Sequence, residues 1–231
     1  MTTERTEPKS HLIVLAGLVL AAVAAISIAL FIPTKARAQT PLQVYVGAHG
    51  GYSMMSTEVS SPLLPGFSLD GLGSKGFTGG VHGGVDVALP SSMIFMGAFA
   101  DYTWQKVDFS VNPVATARFG DAYTLGVRAG VATGKSKFYG LVGYKHAESS
   151  INIAGVDMPS FHGMTYGAGT SYNIAPNMAV GGEVLYTHFQ SANLMSVVNL
   201  QPDQLEVRAF VNFQLGNLAN PLAPLAAAPL K

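Results

Sequence analysis

Met164–Tyr172 (MTYGAGTSY) and Met178–Phe189 (MAVGGEVLYTHF), joined by Asn173-Ile-Ala-Pro-Asn177, decide how this chain folds. In the first stretch Met164, Tyr166, Ala168, Thr170 and Tyr172 share one face of an extended chain, and Thr165, Gly167, Gly169 and Ser171 the other. In the second, Met178, Val180, Val184 and Tyr186 share a face while Gly181, Glu183 and Thr187 point away. A period of two, with one face apolar and one small or polar, marks a strand wet on one side only. When such segments recur and the apolar face ends in Tyr, the dry side fits lipid.

Composition agrees. Of 231 residues 48% are apolar and only 11% charged, against roughly 25% charged in soluble domains. Cys is absent, which excludes a disulfide framework, thiolate metal sites and Cys nucleophiles. The formal net charge is zero, so no electrostatic case for nucleic-acid binding exists.

The segment 1–38 is expected to be an export signal, a helix in its apolar part. Leu12–Ile32 is an unbroken apolar run preceded by Arg5 and Lys9. Ala36-Arg37-Ala38 fits the small-x-small rule for signal peptidase and places cleavage after Ala38. About 21 apolar residues also suffice to span a bilayer, so a retained anchor is the other possibility. The rest of the chain is exported in either case.

After Gln39 no helical periodicity appears. Eight alternating segments follow: Leu42–Met54, Phe77–Leu89, Met93–Gln105, Arg118–Val131, Lys137–Ala147, Phe161–Tyr172, Met178–Phe189 and Gln204–Leu215. Each has the length a tilted strand needs to cross a hydrocarbon core and its interfaces. Leu89–Ser92, Ala132–Ser136 and Asn173–Asn177 make short connections; Ser56–Lys75, Lys106–Ala117, Glu148–Ser160 and Gln190–Asp203 make long ones. Short turns on one side and long loops on the other define an all-β, eight-stranded antiparallel up-and-down transmembrane barrel over residues 39–215. When the more apolar face of each segment is assigned to lipid, Asp86, Asp101, Arg118, Arg128, Lys137, Lys145, Glu183, Glu206 and Arg208 all fall on the other face, and Asp121 alone faces lipid. An eight-stranded barrel is only wide enough to be filled by side chains. A lumen charge network drawn from Asp101, Arg128, Lys145, Glu183 and Arg208 is therefore expected, since unpaired buried charges are costly.

TYGAGTSYNIAPNMAVGGEVLYTHF resembles the sixth-to-seventh-strand hairpin of the small outer-membrane β-barrel family of alphaproteobacteria. That family holds opacity-like, porin-like proteins and relatives of the transmembrane domain of outer-membrane protein A. The resemblance rests on Gly167, Gly169, Pro176, Asn177, Glu183 and Tyr186. Val44–Ser53 (VYVGAHGGYS) resembles the family's first strand and Val207–Leu215 (VRAFVNFQL) its last. Membership implies a bacterial outer-membrane location, contact with membrane lipid, and insertion by the barrel-assembly machinery, which reads an aromatic residue ending the last strand. Here that strand ends Phe213-Gln-Leu215, and a Pro/Ala/Leu-rich tail, 216–231, follows. A filled lumen points to a structural, envelope-integrity or surface-contact role with at most a narrow pore. A surface that binds a small ligand such as haem, or a host, through the extracellular loops is the other possibility.

Motifs with chemical potential are few. Ala129–Ser136 satisfies a relaxed phosphate-loop pattern, yet a strand rather than a helix follows Lys135-Ser136, so a hairpin turn at Gly134 is expected. Gly79-Gly80 and Gly83-Gly84 lack a following helix and are expected instead to clear lumen space or allow strand curvature. His49, His82 and Asp101 share the wet phase at similar depth near mid-barrel. Two imidazoles and a carboxylate fit a transition metal or a proton-sensitive network; a hydrogen-bonded lumen plug is the expectation, because buried polar groups need partners regardless. Ser53 lies above His49, but nothing places an oxyanion hole there. His146 and His188 sit beside Tyr144 and Tyr186, and with Tyr102 and Trp104 belong to headgroup-level girdles. No catalytic residue, metal or cofactor is expected.

Overall fold

The computed structural model describes residues 42–60, 68–89, 92–105, 107–111, 115–151, 160–194 and 198–215. The expected signal segment, with Ala36 and Ala38, and the tail 216–231 lie outside the described residues. Ten strands follow in chain order: β1 Leu42–Ser60, β2 Ser68–Ala88, β3 Ile94–Gln105, β4 Val107–Val111, β5 Ala115–Thr133, β6 Ser136–Ile151, β7 Phe161–Ala175, β8 Met178–Phe189, β9 Ala192–Leu194 and β10 Val198–Leu215.

These ten strands make eight staves. β4 prolongs β3 in the same register on β2, with Thr78 opposite Gln105 and Lys75 opposite Asp108. β9 prolongs β8 against β10 after a one-residue slip. Every pairing is antiparallel, and β1 pairs with both β2 and β10, from Val44 opposite Leu215 to Ser60 opposite Asn199. The sheet is closed, so it presents no free edge.

The strands exceed the expected segments at their loop ends. β1 runs to Ser60 rather than Met54, β2 begins at Ser68 rather than Phe77, and β10 begins at Val198 rather than Gln204. Much of Ser56–Lys75, Lys106–Ala117, Glu148–Ser160 and Gln190–Asp203, expected as loop, is paired backbone. The reason is physical. Ladder hydrogen bonds need only backbone groups, so pairing continues after the side-chain alternation that lipid imposes has ended.

The short connections are tight. Gly134, with φ of 57°, turns β5 into β6. That backbone conformation suits a glycine and leaves no helix to begin at Lys135-Ser136. Asn177 turns β7 into β8 after a register shift between Asn173 and Ala175.

Two surfaces result. Outside, Leu205, Val207, Val211, Phe213 and Leu215 of β10 are all exposed, as are Val127, Tyr166 and Val184 on other strands. From Leu205 to Leu215 the strand rises about 33 Å, which a tilt of about 40° projects to roughly 25 Å, the height of an outer-membrane apolar band. Inside, the alternate residues are buried among themselves. Tyr45, Phe95, Phe99, Tyr139, Leu141 and Leu185 fill the short-turn end and middle of the lumen. Met55, Phe161 and Phe189, with Ala122 and Ala147, fill the opposite end.

Candidate functional site

Between these apolar fillings the lumen holds charges in three layers. Nearest the short turns, Asp86 on β2 accepts two hydrogen bonds from Arg128 on β5, at 2.9 Å from Nε and 2.7 Å from Nη2. Lys137 on β6 adds a third contact to Asp86 at 3.2 Å and donates to Gln43, which donates in turn to Gln214 at 3.0 Å. The Arg128 guanidinium lies between two rings, 4.1 Å from the centre of Tyr45 and 4.9 Å from that of Tyr139. A desolvated cation–π pair of this kind adds to the ion pair.

The middle layer turns on Arg208 of β10. Its Nε donates to Glu183 Oε2 at 2.7 Å and its Nη1 to Asp101 Oδ2 at 2.8 Å. The Tyr139 hydroxyl donates to Glu183 Oε1 at 2.7 Å, and Thr103 donates to Asp101 Oδ1 at 2.7 Å. The pairing follows from register, because Arg208 stands directly opposite Glu183. Asp101 reaches the same guanidinium across the lumen.

Above it, Lys145 of β6 contacts Glu206 at 3.4 Å and Gln204 at 3.0 Å. Thr78 donates to Glu206 at 3.1 Å, and Gln204 Nε2 donates to Ser53 at 2.7 Å and to Gln105 at 3.1 Å. All eight charged groups in the three layers are buried, four carboxylates against four cations. Carrying eight charges into a low-dielectric lumen is costly unless each is paired and hydrogen-bonded; here each one is.

Of the residues expected in a network, Arg208 joins Glu183 and Asp101 directly. Arg128 and Lys145 instead meet Asp86 and Glu206. Gln43, Tyr45, Tyr139 and Gln204 escaped the sequence reading. Aromatic residues there signalled the lipid face, and neutral amides give no charge to phase; the shared parity of Lys137 and Tyr139 was the available signal. Ser53 is four residues from His49 along one strand, about 13 Å, and its hydroxyl is held by Gln204, so no Ser-His-Asp array forms. His146 faces outward stacked on Tyr123, with ring centres 4.9 Å apart. His188, also outward, pairs with Asp203 at 2.7 Å. Tyr102 donates to Asp121 at 2.7 Å and meets Trp104 edge-on.

The glycines of the hairpin motif have a lumen role. A Cβ on Gly169 would lie 2.7 Å from both the Tyr139 ring and the Glu183 side chain. Glycine there admits the Tyr139–Glu183 bond. Gly84 likewise leaves room for the Tyr45 hydroxyl, and Gly80 for the His49 ring.

His49, His82 and Asp101 come together between the first three staves. His82 stands opposite Asp101 on β3, and the His49 and His82 ring centres are 5.6 Å apart. One ligand atom from each of the three lies within 4.8 Å of the others. His82 Nε2 is 2.6 Å from Asn212 Oδ1. His49 Nε2 is 3.1 Å from Asp101 Oδ2, close but poorly aligned for a hydrogen bond.

The model of the outer membrane protein beta-barrel domain matches residues 14–216 of this chain. Among solved structures the chain is similar to Ail, the attachment invasion locus protein of Yersinia pestis, with 17% identity over 74% of this chain and 99% of that one, at a TM-score of 0.41. It is similar to neisserial surface protein A, with 19% identity over 74% and 96% of the two chains and a TM-score of 0.42. It is also similar to the outer membrane protein OprG of Pseudomonas aeruginosa, with 10% identity over 78% and 98% and a TM-score of 0.47. No curated protein matches.

Proposed function

Because the chain belongs to the outer membrane protein beta-barrel domain family and resides in the bacterial outer membrane, we propose that it serves there as a closed structural barrel that supports the envelope. The observation that carries this reading is the occupied lumen. Three layers of paired charge fill its middle, and buried Phe95 and Phe161 with Phe189 fill its two ends. A wall of this kind holds lipid outside and passes at most a narrow stream of small ions. The role is non-catalytic. Residues 1–38 act as the export signal, and the barrel-assembly machinery inserts the chain.

The test is made in cells. Deleting the chain should raise sensitivity to detergent, and the intact chain should restore resistance. A version in which residues 61–67, 112–114, 152–159 and 195–197 are replaced by short Gly-Ser linkers should restore it equally. Failure of that folded, linker-replaced version would assign the role to contact at the surface, with haem or another ligand. Unchanged resistance on deletion would remove the envelope role.

A further inference from the structure

We propose that His49, His82 and Asp101 form a binding site inside the barrel for a borderline divalent transition-metal ion, with zinc as the representative. The donor set is two imidazoles and one carboxylate, a combination that suits zinc, cobalt or copper. The three come from adjacent staves, β1, β2 and β3, so the closed ladder rather than a loop sets their spacing.

Two independent features point to a ligand. The first is that buried imidazole nitrogens lack well-formed hydrogen bonds, although His82 Nε2 bonds Asn212 and His49 Nε2 lies 3.1 Å from Asp101 Oδ2. Both ring nitrogens of His49 and Nδ1 of His82 are buried without a well-formed hydrogen bond. His49 is 7% exposed and its side chain not at all. Every charged group in the neighbouring layers is paired, and buried polar atoms seldom go unsatisfied. A metal ion takes up such a lone pair directly. The second is the arrangement behind the donors. His82 donates Nε2–H to Asn212 Oδ1, which leaves its Nδ1 lone pair free. Asp101 is fixed by Thr103 at one oxygen and by Arg208 at the other. Outer groups that fix the tautomer and orientation of ligands in this way accompany protein metal sites.

Charge is compatible too. The middle layer sets two carboxylates, Asp101 and Glu183, against the single guanidinium of Arg208, so it tolerates added positive charge. The donor atoms stand up to 4.8 Å apart. Tetrahedral ligands with bonds near 2.1 Å are separated by about 3.4 Å, so the donors must draw together by about an ångström to close on an ion.

The experiment refolds the full barrel with cobalt(II) or zinc(II) added before refolding, so that a closed lumen does not restrict entry. One cobalt per barrel is expected, with visible absorption bands of a nitrogen- and oxygen-ligated ion that zinc abolishes. His49→Gln and His82→Gln should each weaken binding at least about tenfold, while a triple variant of the outward His146, His162 and His188 to Asn should bind as wild type. Folding of each variant is checked by heat-dependent electrophoretic mobility. If a lumen variant does not fold, wild type and the outward triple variant together decide the proposal. Absence of stoichiometric cobalt binding by folded wild type overturns it. Binding lost only in the outward triple variant overturns it as well.

Discussion

At the residue scale Arg208 and Arg128 invite comparison, because both are buried guanidiniums and only one has a substitute nearby. Removing Arg208 strands Asp101 and Glu183, which have no other Lys or Arg as ion-pair partner among the described residues. Removing Arg128 leaves Asp86 in contact with Lys137 at 3.2 Å. Breaking a buried pair on one side costs about 3–5 kcal/mol. Arg208→Ala should therefore lower unfolding stability in urea by about that amount, and Arg128→Ala by clearly less. Equal losses would mean that the layers do not act separately. A further substitution checks the physics: Arg208→Met combined with Glu183→Gln and Asp101→Asn should be more stable than Arg208→Ala, since no uncompensated charge is left in the lumen.

At the scale of elements, the hairpin β7–β8 and the turn at Gly134 carry local predictions. Gly134→Ala should cost about 1–2 kcal/mol in the same urea assay, because φ of 57° is unfavourable for a residue with a Cβ, whereas Gly134→Asn should be nearly neutral. Gly169→Val inserts methyl groups against the Tyr139 ring and Glu183. It should destabilise by about 1–3 kcal/mol through overpacking, and a neutral result would deny the close approach at that position. Elements also show what was legible in the sequence. The alternation of Met164–Tyr172 and Met178–Phe189 placed Glu183 inside, because lipid imposes a strict two-residue period. Strand ends beyond the lipid carry no such period, so Ser60, Ser68 and Val198 were invisible as limits of β1, β2 and β10. Charge parity placed Asp86 and Glu206 in the lumen. It did not assign them to Arg128 and Lys145, since partner choice across the lumen depends on barrel stagger, which no single segment encodes. The depth match of His49, His82 and Asp101 was legible because strand register alone sets it. Their unsatisfied nitrogens were not, because side-chain partners come from β10, distant in sequence.

At the scale of the whole molecule, two surfaces of opposite character share one closed sheet. The outward surface is apolar over a height of roughly 25 Å, so lipid stabilises it. The inward surface is polar, yet its charges are matched four against four and are sealed between aromatic fillings. A barrel whose lumen charges are satisfied by its own side chains has no need of water around them, and this is what separates a structural wall from a pore. Conductance across a planar lipid bilayer tests that claim most directly. The account predicts that the refolded barrel gives no stable channel openings, and that Arg208→Ala and Glu183→Gln introduced together raise leakage where the middle layer is lost. Sustained, discrete openings of the intact barrel, unaffected by those substitutions, would contradict it.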